Sequence, residues 1–179
     1  MIEIKHRRLI YFSAIIIVMA LAAVIKLWDT TPQYVKEYLG EGEAARRVRA
    51  LEDDKVKELY IITDRKREPV QMLQFVETVG YNGLIRLQVK LDIQKQKLVD
   101  LKILSHQETD NYGGYAAEDW FMARFLEKST ATDLNLVKVM AQSKDEIVAV
   151  TGATITSQAI VDGVNAAFNA FRNYKEGIK

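Results

Sequence analysis

The chain has no cysteine in 179 residues. That absence excludes disulfides, thiolate nucleophiles, cysteine-ligated iron–sulfur clusters and a lipoprotein acyl anchor. There are only two histidines, which argues against a multi-histidine metal or haem site. Twenty-five Lys and Arg face 24 Asp and Glu, a formal net charge of +1. No basic surplus therefore points to nucleic acid. Prolines number two and glycines nine, with no internal repeat or low-complexity tract. The length suits one globular domain plus an extension. Any redox chemistry would have to rest on an organic cofactor.

What the chain does have, first, is one long apolar run. From Leu9 to Ile25 it is almost unbroken, and Lys26, Leu27 and Trp28 complete a segment at residues 9–28. As a helix this would be about 30 Å long, the thickness of a bilayer core. Tyr11 and Trp28 fall near its ends as interfacial aromatics, and Lys26 can snorkel. Lys5, Arg7 and Arg8 precede it, so residues 1–8 are expected in the cytoplasm and everything after the segment outside. Ala20-Leu21-Ala22 resembles a signal-peptidase site. Hydrophobicity nevertheless continues through Val24, Ile25 and Leu27, which favours a permanent anchor.

Residues 29–55 are expected to form a helical stalk. Thr31-Pro32 is a helix start; the helix should run to about Leu39, pause at Gly40 and resume over Glu43 to Leu51. Arg46, Arg47 and Arg49 read as a solvated face or as lipid-headgroup contacts. The folded domain is expected at residues 56–179, and its class is α+β: an antiparallel sheet packed with helices. Strands are expected at Glu58 to Thr63, Val70 to Val79, Leu84 to Asp92 and Lys97 to Ser105. Alternation is plainest where Ile85, Leu87, Val89 and Leu91 oppose Arg86, Gln88 and Lys90. Gly80-Tyr81-Asn82-Gly83 and Ile93-Gln94-Lys95-Gln96 supply turns for a meander. Ala117 to Glu127 reads as a helix, Ile147 to Val150 as a strand returning to the sheet, and the following segment as a helix covering it.

That final helix opens on Thr151-Gly152-Ala153-Thr154-Ile155-Thr156-Ser157. Hydroxyls and a glycine thus sit where a strand hands over to a helix N-terminus. Two readings stand. The hydroxyls can simply cap the helix. Alternatively, the free N–H groups and the positive end of the helix dipole can hold a phosphate.

Thr-Gly-Ala-Thr-Ile-Thr-Ser resembles the flavinylation signature of the FMN-binding domain family, which includes the G subunit of the Rnf electron-transport complex and the C subunit of the sodium-pumping NADH:quinone reductase. Gly80-Tyr81-Asn82-Gly83 resembles the family's Gly-Tyr-x-Gly opening. His106-Gln107-Glu108-Thr109 resembles its His-x-Glu-Thr-Pro-Gly-Leu-Gly loop, although the sequence here continues Asp110-Asn111-Tyr112-Gly113-Gly114. A second departure is Val148, where the family usually carries an acidic residue; Asp145 and Glu146 lie slightly earlier.

The resemblance implies FMN joined as a phosphoester to the hydroxyl of Thr154. Around it, Thr151, Gly152, Ala153, Thr156 and Ser157 would form the phosphate cradle, and Glu108 and Thr109 the loop near the flavin. For Glu108, bracing the loop and touching the ring both remain open. His106 reads as a hydrogen bonder that orients the loop, and Tyr112 and Trp120 as candidates for stacking. No catalytic side chain and no metal ligand is expected. The implied function is a membrane-anchored, extracytoplasmic electron relay, one subunit of an Rnf-type ferredoxin:NAD oxidoreductase coupled to sodium or proton transport. Its partners would be the other membrane and peripheral subunits. A stand-alone anchored FMN carrier and a flavin-free scaffolding subunit are the alternatives.

Overall fold

Five consecutive segments pair as antiparallel neighbours in chain order, the simplest way to join strands by short turns. The computed structural model describes residues 31–110 and 112–177. The expected membrane segment at 9–28 lies outside the described residues, and no described helix is long and apolar enough to cross a membrane. The chain divides into two compact units, Met1–Tyr38 and Leu39–Lys179. In the described part of the first, α1 spans Gln33–Lys36 behind Pro32.

The second unit carries the meander: β1 (Ala44–Arg47), β2 (Val56–Thr63), β3 (Pro69–Val79), β4 (Leu84–Asp92) and β5 (Lys97–Ser105). Strands β2 to β5 lie where the alternation puts them. The β3–β4 register is unbroken from Gln71 opposite Asp92 to Val79 opposite Leu84. One face of the sheet thereby collects Met72, Val76, Ile85, Leu87, Val89 and Leu91, all buried. The long helix α3 (Thr154–Gly177) lies over that face. Its Ile160, Val164, Ala167, Phe168 and Phe171 recur at helical spacing and join the same core. Contact is close at Gly163, where a Cβ would lie 2.6 Å from Leu87 Cδ1. Buried Gln74 donates from Nε2 to the Ala167 carbonyl at 3.0 Å, while its Oε1 is buried without a hydrogen-bond partner among the described residues.

Three expectations are corrected. Residues 44–47 are a strand rather than the second half of a helical stalk. They pair with β2 from Ala44 opposite Thr63 to Arg47 opposite Tyr60. Here ladder hydrogen bonds that cover an otherwise open sheet edge outweigh local helix propensity. The expected helix over Ala117 to Glu127 is broken into a 3₁₀ turn at Gly113–Ala117, α2 at Asp119–Met122 and another 3₁₀ turn at Ala123–Phe125. Glu118 interrupts it in an extended conformation (ψ 145°), and Glu127 ends the segment at φ 63°. Phe121 and Phe125 stay buried, edge to face at 5.4 Å.

Finally, the segment at 147–150 does not rejoin the main sheet. β7 (Glu146–Val148) pairs in parallel with β6 (Asn135–Val137) as a separate ribbon. The start of β5's outer edge is already taken. Leu98 N–H donates to the Lys128 carbonyl and Glu127 N–H to the Leu98 carbonyl. The ribbon is fastened to α3 instead, where Asn165 both accepts from the Leu134 N–H (2.8 Å) and donates to its carbonyl (2.9 Å).

Of the three arginines at 46, 47 and 49, Arg47 has a defined role. It meets Glu52 through two hydrogen bonds, 2.7 and 3.1 Å, and also donates to the Lys57 carbonyl. The hydrogen bond from Arg47 holds the Glu52 carboxyl below the usual 4.5. A carboxylate with a depressed native pKa stabilises the fold above its unfolded pKa, and the gain is lost as pH falls through the native value. Glu52→Gln is therefore expected to lower stability at pH 7 and to converge on the wild type at acid pH, as the depressed native carboxyl protonates. Because the pair is partly solvated, the difference at pH 7 should stay below about 1 kcal/mol. Thermal melts at the two pH values check this; an equal deficit at both would mean that the side chain contributes by packing alone.

Candidate functional site

The turn from β7 into α3 needs a left-handed residue, and Gly152 provides it at φ 81°. A side chain there would meet only Tyr112 Cδ1, at 3.5 Å. Conformation rather than space therefore requires the glycine. Ala153 N–H closes the turn on the Val150 carbonyl, and the first helical hydrogen bond runs from Ser157 N–H to the Ala153 carbonyl at 2.9 Å. The N–H groups of Thr154, Ile155 and Thr156 are consequently left without intrahelical acceptors, at the positive end of a 24-residue helix.

The hydroxyls of this segment separate into two kinds. Thr156 and Ser157 are buried, at 2% and 0% exposure. The Thr156 hydroxyl donates to Glu108 Oε2 at 2.6 Å, and Ser157 Oγ accepts from the Val150 N–H at 3.1 Å. Ser157 thus ties the first turn of α3 to the end of the preceding segment rather than capping the helix. Thr151 and Thr154 are exposed.

In front of Thr154 lies a cleft of about 570 Å³, within the range of small-molecule sites. Glu108, Thr109, Gly152, Ala153, Thr154 and Thr156 line it, so the fold brings together six of the eight candidate residues. Thr151 and Ser157 are outside the lining. The apolar walls come from Tyr81, Tyr112 and Ile155, which are 74%, 62% and 56% exposed. Large apolar side chains held open to solvent around one depression are the mark of a surface that another molecule covers. Tyr81 and Ile155 were missed as site residues by sequence reasoning. The available signals were an aromatic inside a glycine turn and an isoleucine at the first turn of a helix.

The loop after β5 is arranged as the sequence suggests. His106 Nδ1 accepts from the Glu108 N–H at 3.2 Å. The Thr109 carbonyl accepts from the N–H groups of both Tyr112 (3.0 Å) and Gly114 (2.9 Å). Glu108 itself is 6% exposed. Its Oε1 accepts from the Asn82 N–H at 2.9 Å and its Oε2 from Thr156. Both oxygens are engaged inside the protein, which makes loop bracing its structural role. Trp120 does not line the cleft. Its ring lies under the Arg124 guanidinium at 4.9 Å, and Arg124 donates to the Val148 carbonyl. Among the described residues there is no cluster of His, Cys, Asp and Glu able to hold a metal.

Residues 80–169 match the model of the FMN-binding domain, half of the chain. The chain belongs to the FMN-binding domain family. It is 39% identical over 101 residues to the G subunit of the proton-translocating ferredoxin:NAD(+) oxidoreductase complex of Clostridium ljungdahlii, covering 56% of this chain and 53% of that one. It is 30% identical over 132 residues to the G subunit of an ion-translocating oxidoreductase complex of Vibrio vulnificus, covering 72% and 62%. The chain thus spans roughly half to three-fifths of the length of these curated relatives. Among solved structures it is similar in fold to Shewanella oneidensis NqrC, with TM-score 0.55, 16% identity and coverage of 67% of this chain and 61% of that one.

The residues present fit FMN. The unpaired first-turn N–H groups and the Gly152 backbone suit a phosphate, while Tyr81, Tyr112 and Ile155 suit an apolar ring. The matched region contains all three motifs, from Gly80 to the first half of α3.

Proposed function

We propose that this FMN-binding domain is the extracytoplasmic part of a membrane-anchored electron-relay subunit in an Rnf-type ferredoxin:NAD oxidoreductase, with FMN joined to Thr154. The observation that carries the site assignment is the partition of hydroxyls. Thr156 and Ser157 are buried and hydrogen-bonded, whereas Thr154 is exposed at the helix N-terminus and lines the cleft. The partners named for the relatives above, and the lysine and arginine residues before the apolar run, support the membrane complex and the outward orientation.

When bound, FMN supplies a ring that takes up and releases electrons one or two at a time. The protein's own residues do the rest. Thr154 would hold FMN through a phosphoester at its Oγ1, formed in exchange for one P–O bond of a flavin pyrophosphate donor, with its proton leaving on the released nucleotide and no change of oxidation state. The free N–H groups of the first turn of α3 would hold the phosphodiester, with little reorganisation because the helix already fixes their direction. Tyr81, Tyr112 and Ile155 would shield the ring from water.

A denaturing gel viewed under ultraviolet light tests the attachment. The chain, produced in a host that attaches FMN to proteins of this family, should give a fluorescent band. The purified protein should be reduced by dithionite yet show negligible NADH oxidation. A dark band would point to a noncovalent binder or a flavin-free scaffold, and rapid NADH turnover to a self-contained reductase.

A further inference from the structure

The three motifs that define the cleft are far apart in sequence, and one buried carboxylate touches all of them. Glu108 belongs to the loop after β5; its Oε1 holds the Asn82 N–H of the 80–83 turn, and its Oε2 holds the Thr156 hydroxyl of the first turn of α3. Asn82 answers by donating from Nδ2 to the Gln107 carbonyl at 2.7 Å. The slot around the carboxylate is shaped by glycines. A Cβ at Gly80 would lie 2.4 Å from Glu108 Oε1, and one at Gly113 would lie 2.3 Å from Oε2 and 2.8 Å from Thr156 Oγ1. A carboxylate buried this deeply has to be compensated by donors, and here those donors come from two other segments.

We propose that Glu108 is a positioning residue: it locks the two cleft loops to the helix and, by accepting the hydrogen bond of the Thr156 hydroxyl, leaves Thr154 as the hydroxyl of this pair offered for modification. The bond to Glu108 turns Thr156 inward, and on a helix that fixes the direction in which the side chain two residues earlier points. It also holds the Gly80–Gly83 turn, and with it Tyr81, against the mouth of the cleft. The inference rests on the flavoprotein reading for its consequence, but the lock itself is a property of the protein alone.

The test therefore has two arms. In the first, Thr154→Ala serves as a flavin-free parent, and hydrogen–deuterium exchange is followed on peptides covering 78–84 and 153–160. Thr156→Val, nearly isosteric, is expected to speed exchange at 78–84 at least tenfold although it lies in the helix. Glu108→Ala should do the same at 153–160, and the double variant should be no faster than either single one. Thr156→Ser keeps the hydrogen bond, and in Glu108→Gln the amide oxygen can accept from the Asn82 N–H while the amide NH2 donates to Thr156 Oγ1; both should stay within about threefold of the parent. In the second arm, with Thr154 restored, the flavinylated fraction by intact mass should fall at least tenfold in Glu108→Ala and recover in Glu108→Gln. Exchange that changes only around the substituted residue would overturn the lock. Should Glu108→Ala not fold, the Thr156→Val and Thr156→Ser pair decides by itself. If the unsubstituted chain gains no FMN mass, the flavoprotein reading fails while the exchange arm still decides on the lock.

Discussion

Thr154→Ala is expected to abolish covalent flavin while leaving the fold intact. The wild-type chain should be heavier than its sequence by one FMN less one water, and the variant should have the mass of its sequence alone. Complete loss is expected because Thr151, though exposed, lies outside the cleft lining, and the two hydroxyls that follow Thr154 are engaged inside the protein. Thr156 donates a hydrogen bond to Glu108 inside the protein, and Ser157 is fully buried against the Val150 N–H. The cost to stability should be small, within about 0.5 kcal/mol either way. Thr154 is the first helical residue, its side chain caps no N–H, and alanine is the better helix former. A variant that keeps the FMN mass would move the acceptor elsewhere, and peptide mapping would show to which residue.

Phe168→Ala should have the largest effect on the fold itself. Phe168 is completely buried in the core between α3 and the sheet. Removing its ring deletes apolar burial and leaves a cavity that close-packed neighbours fill only in part, which typically costs about 3–5 kcal/mol. Such a loss is a large share of the stability of a domain this size. Denaturant unfolding, with an unchanged slope and a lower midpoint, would measure it. A loss below about 1 kcal/mol would mean that α3 can slide to refill the space. That is hard to reconcile with the approach at Gly163, where a Cβ would come within 2.6 Å of the Leu87 methyl. The same substitution should also weaken flavin binding, because the first turn of α3 lines the cleft.

The family resemblance read from three short motifs agrees with the match over residues 80–169. It carried function further than any single local pattern could. Tyr81 shows the limit of that reading. It lay inside a quoted motif, yet only the fold places its exposed ring beside Tyr112 and Ile155, residues 31 and 74 positions later in the chain.

β2 to β5 and α3 are legible in the sequence alone. In those elements the apolar period matches the geometry of the element over many residues, and each turn is punctuated by its own Gly, Asn or Asp. Equally legible are the absence of thiol chemistry and the place of the Thr-Gly-Ala-Thr turn at a helix N-terminus. Tertiary structure alone decided the rest. Ala44–Arg47 became a strand because β2 offered an open edge, and β7 paired with β6 because the start of β5's edge was occupied. It likewise decided which hydroxyls are free. Thr151, Thr154, Thr156 and Ser157 are chemically alike in sequence, and burial against Glu108 and Val150 sets two of them apart. Short-range pattern encodes local geometry, but an edge, a cavity or a hydrogen-bond partner exists only once distant segments have met.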